Sequence, residues 1–371
     1  MRVLKVVYLI ICTTLFVACS GDESVSSSDG FDRQAMLENW ADNIMVPGYE
    51  AYVSSLGTLK ASTEVFTESP SIENLNSLRD AWLDAYLAWQ RVAMFEIGKA
   101  EELTLINYTN IYPLGVEDMI QTIEGGDYDL TSVNRQDEQG FPAIEYLIYA
   151  VRDTDQEIVN LYSQEMANHP YKIYLIDLVE RLEFMGSDVL TDWKSGYRDT
   201  FVGKDGSDAT SSVNKVVNDY IFYYEKHLRA GKIGIPAGVF SASTFSDKVE
   251  GRFSGKSKVL FDAALNAMQD FFNGKAFNSN LPVEGIGLND YLDYLNTIKD
   301  GDDLSTLVND QFDRARAAAT ELGENFGEQV ETDNSKMLAT YDELQMNVVY
   351  LKVDMAQAMS IGITYVDADG D

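Results

Sequence analysis

Leu75-Asn76-Ser77-Leu78-Arg79-Asp80-Ala81-Trp82-Leu83-Asp84-Ala85-Tyr86-Leu87-Ala88-Trp89-Gln90-Arg91-Val92 decides what kind of fold this chain adopts. Leu75, Leu78, Trp82, Ala85, Trp89 and Val92 recur at spacings of three and four, the period of an α-helix, so they form one apolar stripe that must face a partner helix. The same spacing continues to Glu96, which places a carboxylate at the end of a core seam, just before Gly98.

The helical period returns along the rest of the chain, most clearly in Tyr341, Leu344, Val348, Leu351, Met355 and Ala358. Further helices are expected over 171–185, 189–197, 213–229, 256–273, 288–298, 304–322 and 335–360. Alternation of strand type does not recur often enough to build a sheet. The expected fold is all-α with two helical-bundle domains, 32–202 and 213–371, joined by a glycine-, serine- and aspartate-rich linker at 203–212. Gly231-Lys232-Ile233-Gly234-Ile235-Pro236-Ala237-Gly238-Val239-Phe240 lacks the strand-loop-helix context of a phosphate cradle and is expected to be a close-packed connection.

The start of the chain sets the compartment. Arg2 and Lys5 precede an apolar stretch, 6–17, which ends in Leu15-Phe16-Val17-Ala18-Cys19. An apolar core of about a dozen residues is a signal peptide, because a bilayer-crossing helix needs roughly 20. Residues 1–18 are therefore expected to be removed, and Cys19 to be lipidated in the manner of a bacterial lipoprotein, with 19–31 as a polar tether. The anchor is expected at the periplasmic or the cell-surface face of the outer membrane, with Asp22 and Glu23 a weak pointer to surface display.

With Cys12 in the signal and Cys19 carrying the lipid, neither of the two cysteines is left for disulfides, thiolate catalysis or a cysteine metal site. Stability must come from a core, and 45% hydrophobic and 11% aromatic residues in 371 supply one. Sixty acidic against 28 basic side chains give a net charge of -32. Such a surface repels phosphate backbones and attracts cations, so nucleic acid is excluded as a partner.

Gly140-Phe141-Pro142-Ala143-Ile144-Glu145-Tyr146-Leu147-Ile148-Tyr149-Ala150-Val151 contains the most telling residue. Proline suits a first helical turn, where its missing N–H has no intrahelical partner. Glu145 is the only charge in the run, and its helical neighbours Phe141, Ile148 and Tyr149 offer no cation. A carboxylate desolvated in this way costs several kcal/mol unless a cation, donors or a proton compensate. The alternative to a functional role is a structural carboxylate bonded to arginine, tyrosine or backbone donors.

Three stretches together resemble the imelysin family, a peptidase family by classification and often called iron-regulated. They are 82–90 with Glu96 and Gly98, 140–147, and 231–241 with the Asp367 to Asp371 ending. The resemblance implies a two-domain, all-helical envelope protein with a site near the domain junction. The family signature, Gly-x-His-x-x-Glu, reads here with Gly140 and Glu145 matched and Pro142 in place of the histidine. Proline offers neither a lone pair nor a proton. His169 and His227 stand outside any ligand-spaced motif and are read as surface or structural. A histidine zinc site is thus disfavoured, whereas oxygen ligands suit a hard divalent cation or iron. Glu145 and Glu96 lie in stretches resembling the family and, with Asp118, form the expected metal set, if the packing brings them together. Asp367, Asp369 and Asp371 alternate as in a calcium loop but lack its later glutamate and helix, so they are read as a solvated tail.

These readings favour a lipid-anchored envelope protein that binds a metal ion or small ligand in iron uptake. A metallopeptidase is the first alternative and a scaffold for another envelope protein the second.

Overall fold

In a computed structural model, which describes residues 29–164, 169–277 and 285–365, the 75–89 part of the stripe is the buried face of a helix, Ile72–Gln90. Ser71 starts it by accepting the N–H of Asn74 on its side chain, which satisfies one of the orphan donors of the first turn. The helix stops at Gln90, so Glu96 does not continue the seam as its spacing suggested; residues 91–94 are turns and 95–97 are irregular. Val92, Ala93, Met94 and Phe95 are buried in succession, and four consecutive apolar residues cannot share one helix face. The signal segment, Cys19 and the terminal aspartates lie outside the described residues.

Val46–Glu68 packs along Ile72–Gln90 and along Pro170–Asp192, and Gly140–Tyr149 lies against the latter two. The two helices expected over 171–197 are one: Pro170–Asp192 runs on as a π-helical turn, Trp193–Tyr197. Gly186 does not break it, because it serves a close approach. A Cβ there would stand 3.0 Å from Leu56 Cδ1 and 3.2 Å from Tyr52 Cε1.

In the C-terminal half Ser212–Phe222 continues as a π-helix, Tyr223–Gly234, so the loop expected from Gly231 begins four residues later. Gly234 admits its neighbours closely: a Cβ would meet Phe240 Cε2 and Tyr341 Cε2 at 2.8 Å each. Leu304–Ala319 packs on Asn334–Val348, which packs on Tyr223–Gly234, and Ser257–Phe272 touches both the first and the last. The helix expected over 288–298 ends at Tyr294; Asn296 takes a positive φ of 50° and a hairpin follows, Ile298–Lys299 pairing antiparallel with Asp302–Asp303. Those strands are the one β-pair among the described residues, so the fold is all-α.

Of the segment 203–212 expected as a linker, residues 203–211 are non-helical and Ser212 already opens a helix. Helices from both sides nonetheless meet, since Ser257–Phe272 lies on Ile72–Gln90, and the buried apolar side chains form one contiguous cluster from Met36 to Met359. The end of the expected tether is also held. Asp29 ion-pairs with Arg33 at 2.8 Å and accepts from Tyr291 OH at 2.6 Å, and Phe31 stacks on Tyr291 with ring centroids 4.3 Å apart. No helix among the described residues is long and apolar enough to cross a membrane.

Trp82 is wholly buried on this seam and donates from Nε1 to Phe141 O at 3.1 Å. Trp82→Ala removes both the volume and the tie to the 140–149 helix, so urea titration should show a loss of about 3–5 kcal/mol. A loss under about 1 kcal/mol would mean that the seam does not carry this packing.

Candidate functional site

Gly140 opens the helix that carries Glu145, with φ at +76°. A Cβ there would fall 2.2 Å from Thr109 O, so only glycine lets the helix start against the backbone of 105–109. Pro142 follows as the third helical residue, where its lack of an N–H costs nothing. Glu145 then projects from the next turn with 1% of its surface exposed.

One oxygen of Glu145 accepts the N–H of Ser254 at 2.7 Å. No ion pair to Glu145 forms among the described residues. Burial pushes its carboxyl up to about 7; the Ser254 side chain and the backbone of Ser254 and Phe253 pull the other way, and the charge of Glu250 adds a little. The carboxylate faces a cavity of about 10 Å³, room for a single water or ion. Tyr112, Pro142, exposed Asp247 and Arg252 are among the residues lining it. Pro142 therefore occupies the wall where the motif places its histidine.

A second layer of polar groups lies behind this cavity. Gln90, Lys232 and Glu250 are all buried. Lys232 Nζ pairs with Glu250 and donates to Gln90 Oε1 at 2.9 Å. Gln90 Nε2 and Asn110 Nδ2 both donate to Glu250 Oε1, at 3.0 and 2.7 Å. Tyr86 OH donates to Asn110 Oδ1, and the Tyr86 ring stacks on Phe141 at 4.4 Å. Burial draws the Lys232 ammonium below its usual range, opposed by Glu250. This network joins the two halves of the chain, and the sequence reading missed it, although Lys232 is the lone charge of an apolar run just as Glu145 is.

The three carboxylates of the expected metal set do not meet. They line three different cavities, and no group of three histidine, cysteine or acidic side chains among the described residues is placed to hold a metal. Asp118 is exposed in an open polar groove with Arg135 and Glu138. Glu96 receives the Ile106 N–H at 3.3 and 3.4 Å, capping the short helix Leu105–Thr109. It shares a cavity of about 180 Å³ with Asp219, whose Oδ2 is buried with no hydrogen-bond partner among the described residues. Burial raises both carboxyls to about 8; the charge of Glu96 lifts Asp219 further, while the Ile106 and Leu105 backbone lowers Glu96. His169 is buried, so its structural reading stands and its surface one does not. His227 is half-buried against the Tyr223 and Phe222 rings, and burial lowers it to about 3.

The sequence matches the family model described as Imelysin over residues 45–353. Iron-regulated protein A of Synechococcus elongatus is 24% identical over 146 residues, which is 38% of this chain and 40% of that protein, so less than half of the relative's length is covered. Two solved structures share the fold. A protein assigned as an iron-regulated protein A precursor, from Parabacteroides distasonis, has a TM-score of 0.71 at 18% identity, over 91% of this chain and 97% of its own. An imelysin-like protein from Psychrobacter arcticum has a TM-score of 0.67 at 17% identity, over 90% of this chain and 97% of its own.

Gly140→Ala should be strongly destabilising, by about 2 kcal/mol or more, since positive φ and a backbone clash add; chemical denaturation measures it, and a change near zero would mean that the helix start can shift. Glu145, Glu96 and Asp219 all hold protons more tightly folded than unfolded. The unfolded chain releases them first, so what these three groups contribute to stability is greatest in mild acid and declines as pH rises toward about 7 for Glu145 and about 8 for the other two. For Glu145 the decline is on the order of 3 kcal/mol. Melting temperature should fall between about pH 5 and about pH 9, and less so in Glu145→Gln and Asp219→Asn. A flat profile shared by all three proteins would contradict the burial of these charges.

Proposed function

The chain belongs to the imelysin family, and on that footing we propose that it is a cell-envelope protein that binds a hard cation at Glu145 and serves iron acquisition. One observation carries the reading: a carboxylate with 1% exposure ends at a cavity of about 10 Å³, with no counter-charge paired to it among the described residues. A cation placed there would supply the charge that desolvation demands. Tyr112 and Asp247 are among the residues that line the cavity, and oxygen donors suit iron, calcium or magnesium over softer ions. Two of the similar proteins bear names that mark them as iron-regulated. Anchoring through a lipid on Cys19, at the periplasmic or outer face of the outer membrane, belongs to the same proposal.

Binding is favoured over hydrolysis. Pro142 brings no ligand or proton to the wall where a histidine would stand, so one group that could help hold a water-activating metal is missing.

Metal analysis and titration calorimetry on the soluble body test this. Iron should bind, and Glu145→Ala should weaken it about tenfold or more, or about 1.4 kcal/mol. Because the carboxyl must shed its proton before it can ligate, affinity should rise with pH up to about 7 and then level off. Equally poor uptake of iron, calcium and zinc by wild type and Glu145→Ala would sink the metal-binding reading.

A further inference from the structure

The Lys232–Glu250 pair does not line the Glu145 cavity, yet the residues around Glu250 do. Val249, Gly251, Arg252 and Phe253 form part of its wall, and the next residue, Ser254, gives its N–H to Glu145. Residues 250–255 form a turn with no regular structure. Gly251 and Gly255 both adopt positive φ, 64° and 68°, so two positions of the turn have the conformational latitude of glycine. Within the turn the Lys256 N–H donates to Gly251 O at 3.2 Å, and the Phe253 ring packs edge-on against Tyr146; the tie from the turn to the buried helices of both halves is Glu250. It is buried, paired with Lys232 on the Tyr223–Gly234 helix, and bonded to Gln90 of the Ile72–Gln90 helix and to Asn110.

We infer that Lys232 and Glu250 are positioning residues for the Glu145 cavity, holding the 249–254 turn in the place from which its backbone grips the carboxylate. Neither touches the cation; both decide whether the wall that receives it exists. The inference rests on the cation-binding reading for its effect on affinity, and independently of that reading for its effect on the turn.

The test replaces the pair by apolar residues, Glu250→Leu with Lys232→Met, in the otherwise intact chain. Removing both charges avoids leaving one buried alone, so the fold survives better than in either single variant. Two readouts follow: Fe(II) affinity by calorimetry without oxygen, and amide hydrogen exchange of the peptide spanning 249–256. The expected result is a melting temperature near that of wild type, faster exchange confined to 249–256, and Fe(II) binding weakened about tenfold or more, since a ligand wall displaced by an ångström loses its geometry. A pair that only stabilises the fold would leave affinity and local exchange unchanged once the melting temperature is matched, and that outcome overturns the inference. Faster exchange with unchanged affinity also overturns it, as does lost affinity with an unchanged turn. Should the double variant not fold, Glu250→Gln keeps the side-chain shape and must show the same two changes at smaller size; no change in either is a refutation. If wild type takes up no Fe(II), the proposed function fails, while the exchange measurement still decides whether the pair holds the turn.

Discussion

Charge placed where water cannot follow is the constraint around which this molecule is arranged. Lys232 and Glu250 are 3% and 2% exposed, and each would be unaffordable alone at such depth. Their bonds to Gln90 and Asn110 draw in a helix end and a loop from the first half of the chain. An apolar core tolerates many near-equivalent packings, whereas an ion pair with three hydrogen bonds to two amide side chains accepts few. The pair thereby sets the relation between the Ile72–Gln90 and Tyr223–Gly234 helices, and with it the enclosure that surrounds Glu145.

Glu145 and the Glu96–Asp219 cavity show two ways in which a fold copes with a carboxylate out of water. Glu145 is met by backbone donors from a distant turn. Glu96 is used as a helix cap, and Asp219 beside it keeps one oxygen without a donor among the described residues. In both places a proton is retained nearer neutrality than an ordinary carboxyl allows. On the proposed reading, protonation and cation binding are alternatives at Glu145, and the acidity of the surroundings governs which one prevails.

Much of the architecture could be read from residue spacing, because amphipathic period depends only on local geometry. The 75–89 and 341–358 stripes follow directly from it, and the non-helical segment near 203–211 follows from its glycine, serine and aspartate content. Boundaries were less legible. Gly186 and Gly231 look like breaks in a sequence, but they sit inside helices because neighbouring side chains press against them. The burial of Glu145 was legible for the opposite reason: nothing near it in sequence could pair with it. Its donor, Ser254, lies 109 residues away, and no local pattern reports such a distance. The same limit explains why Glu96 and Asp118 were grouped with it and then proved to line other cavities. Lys232 could have been singled out by the argument used for Glu145; Gln90, at the polar end of an aromatic stripe, could not.

The opening residues of the described chain belong in space to its second half. Asp29 and Arg33 are bonded to Tyr291, Asn39 donates to the carbonyls of Gly274 and Ile286, and the Arg33–Asn39 helix touches Ser212–Phe222. The backbone thus crosses from one half to the other before the first long helix begins and crosses back near residue 203. The halves are laced, not merely abutted. A nick between 203 and 211 would leave two pieces still buckled together by the leading segment, and whatever pulls on that segment from outside loads the far half of the molecule first.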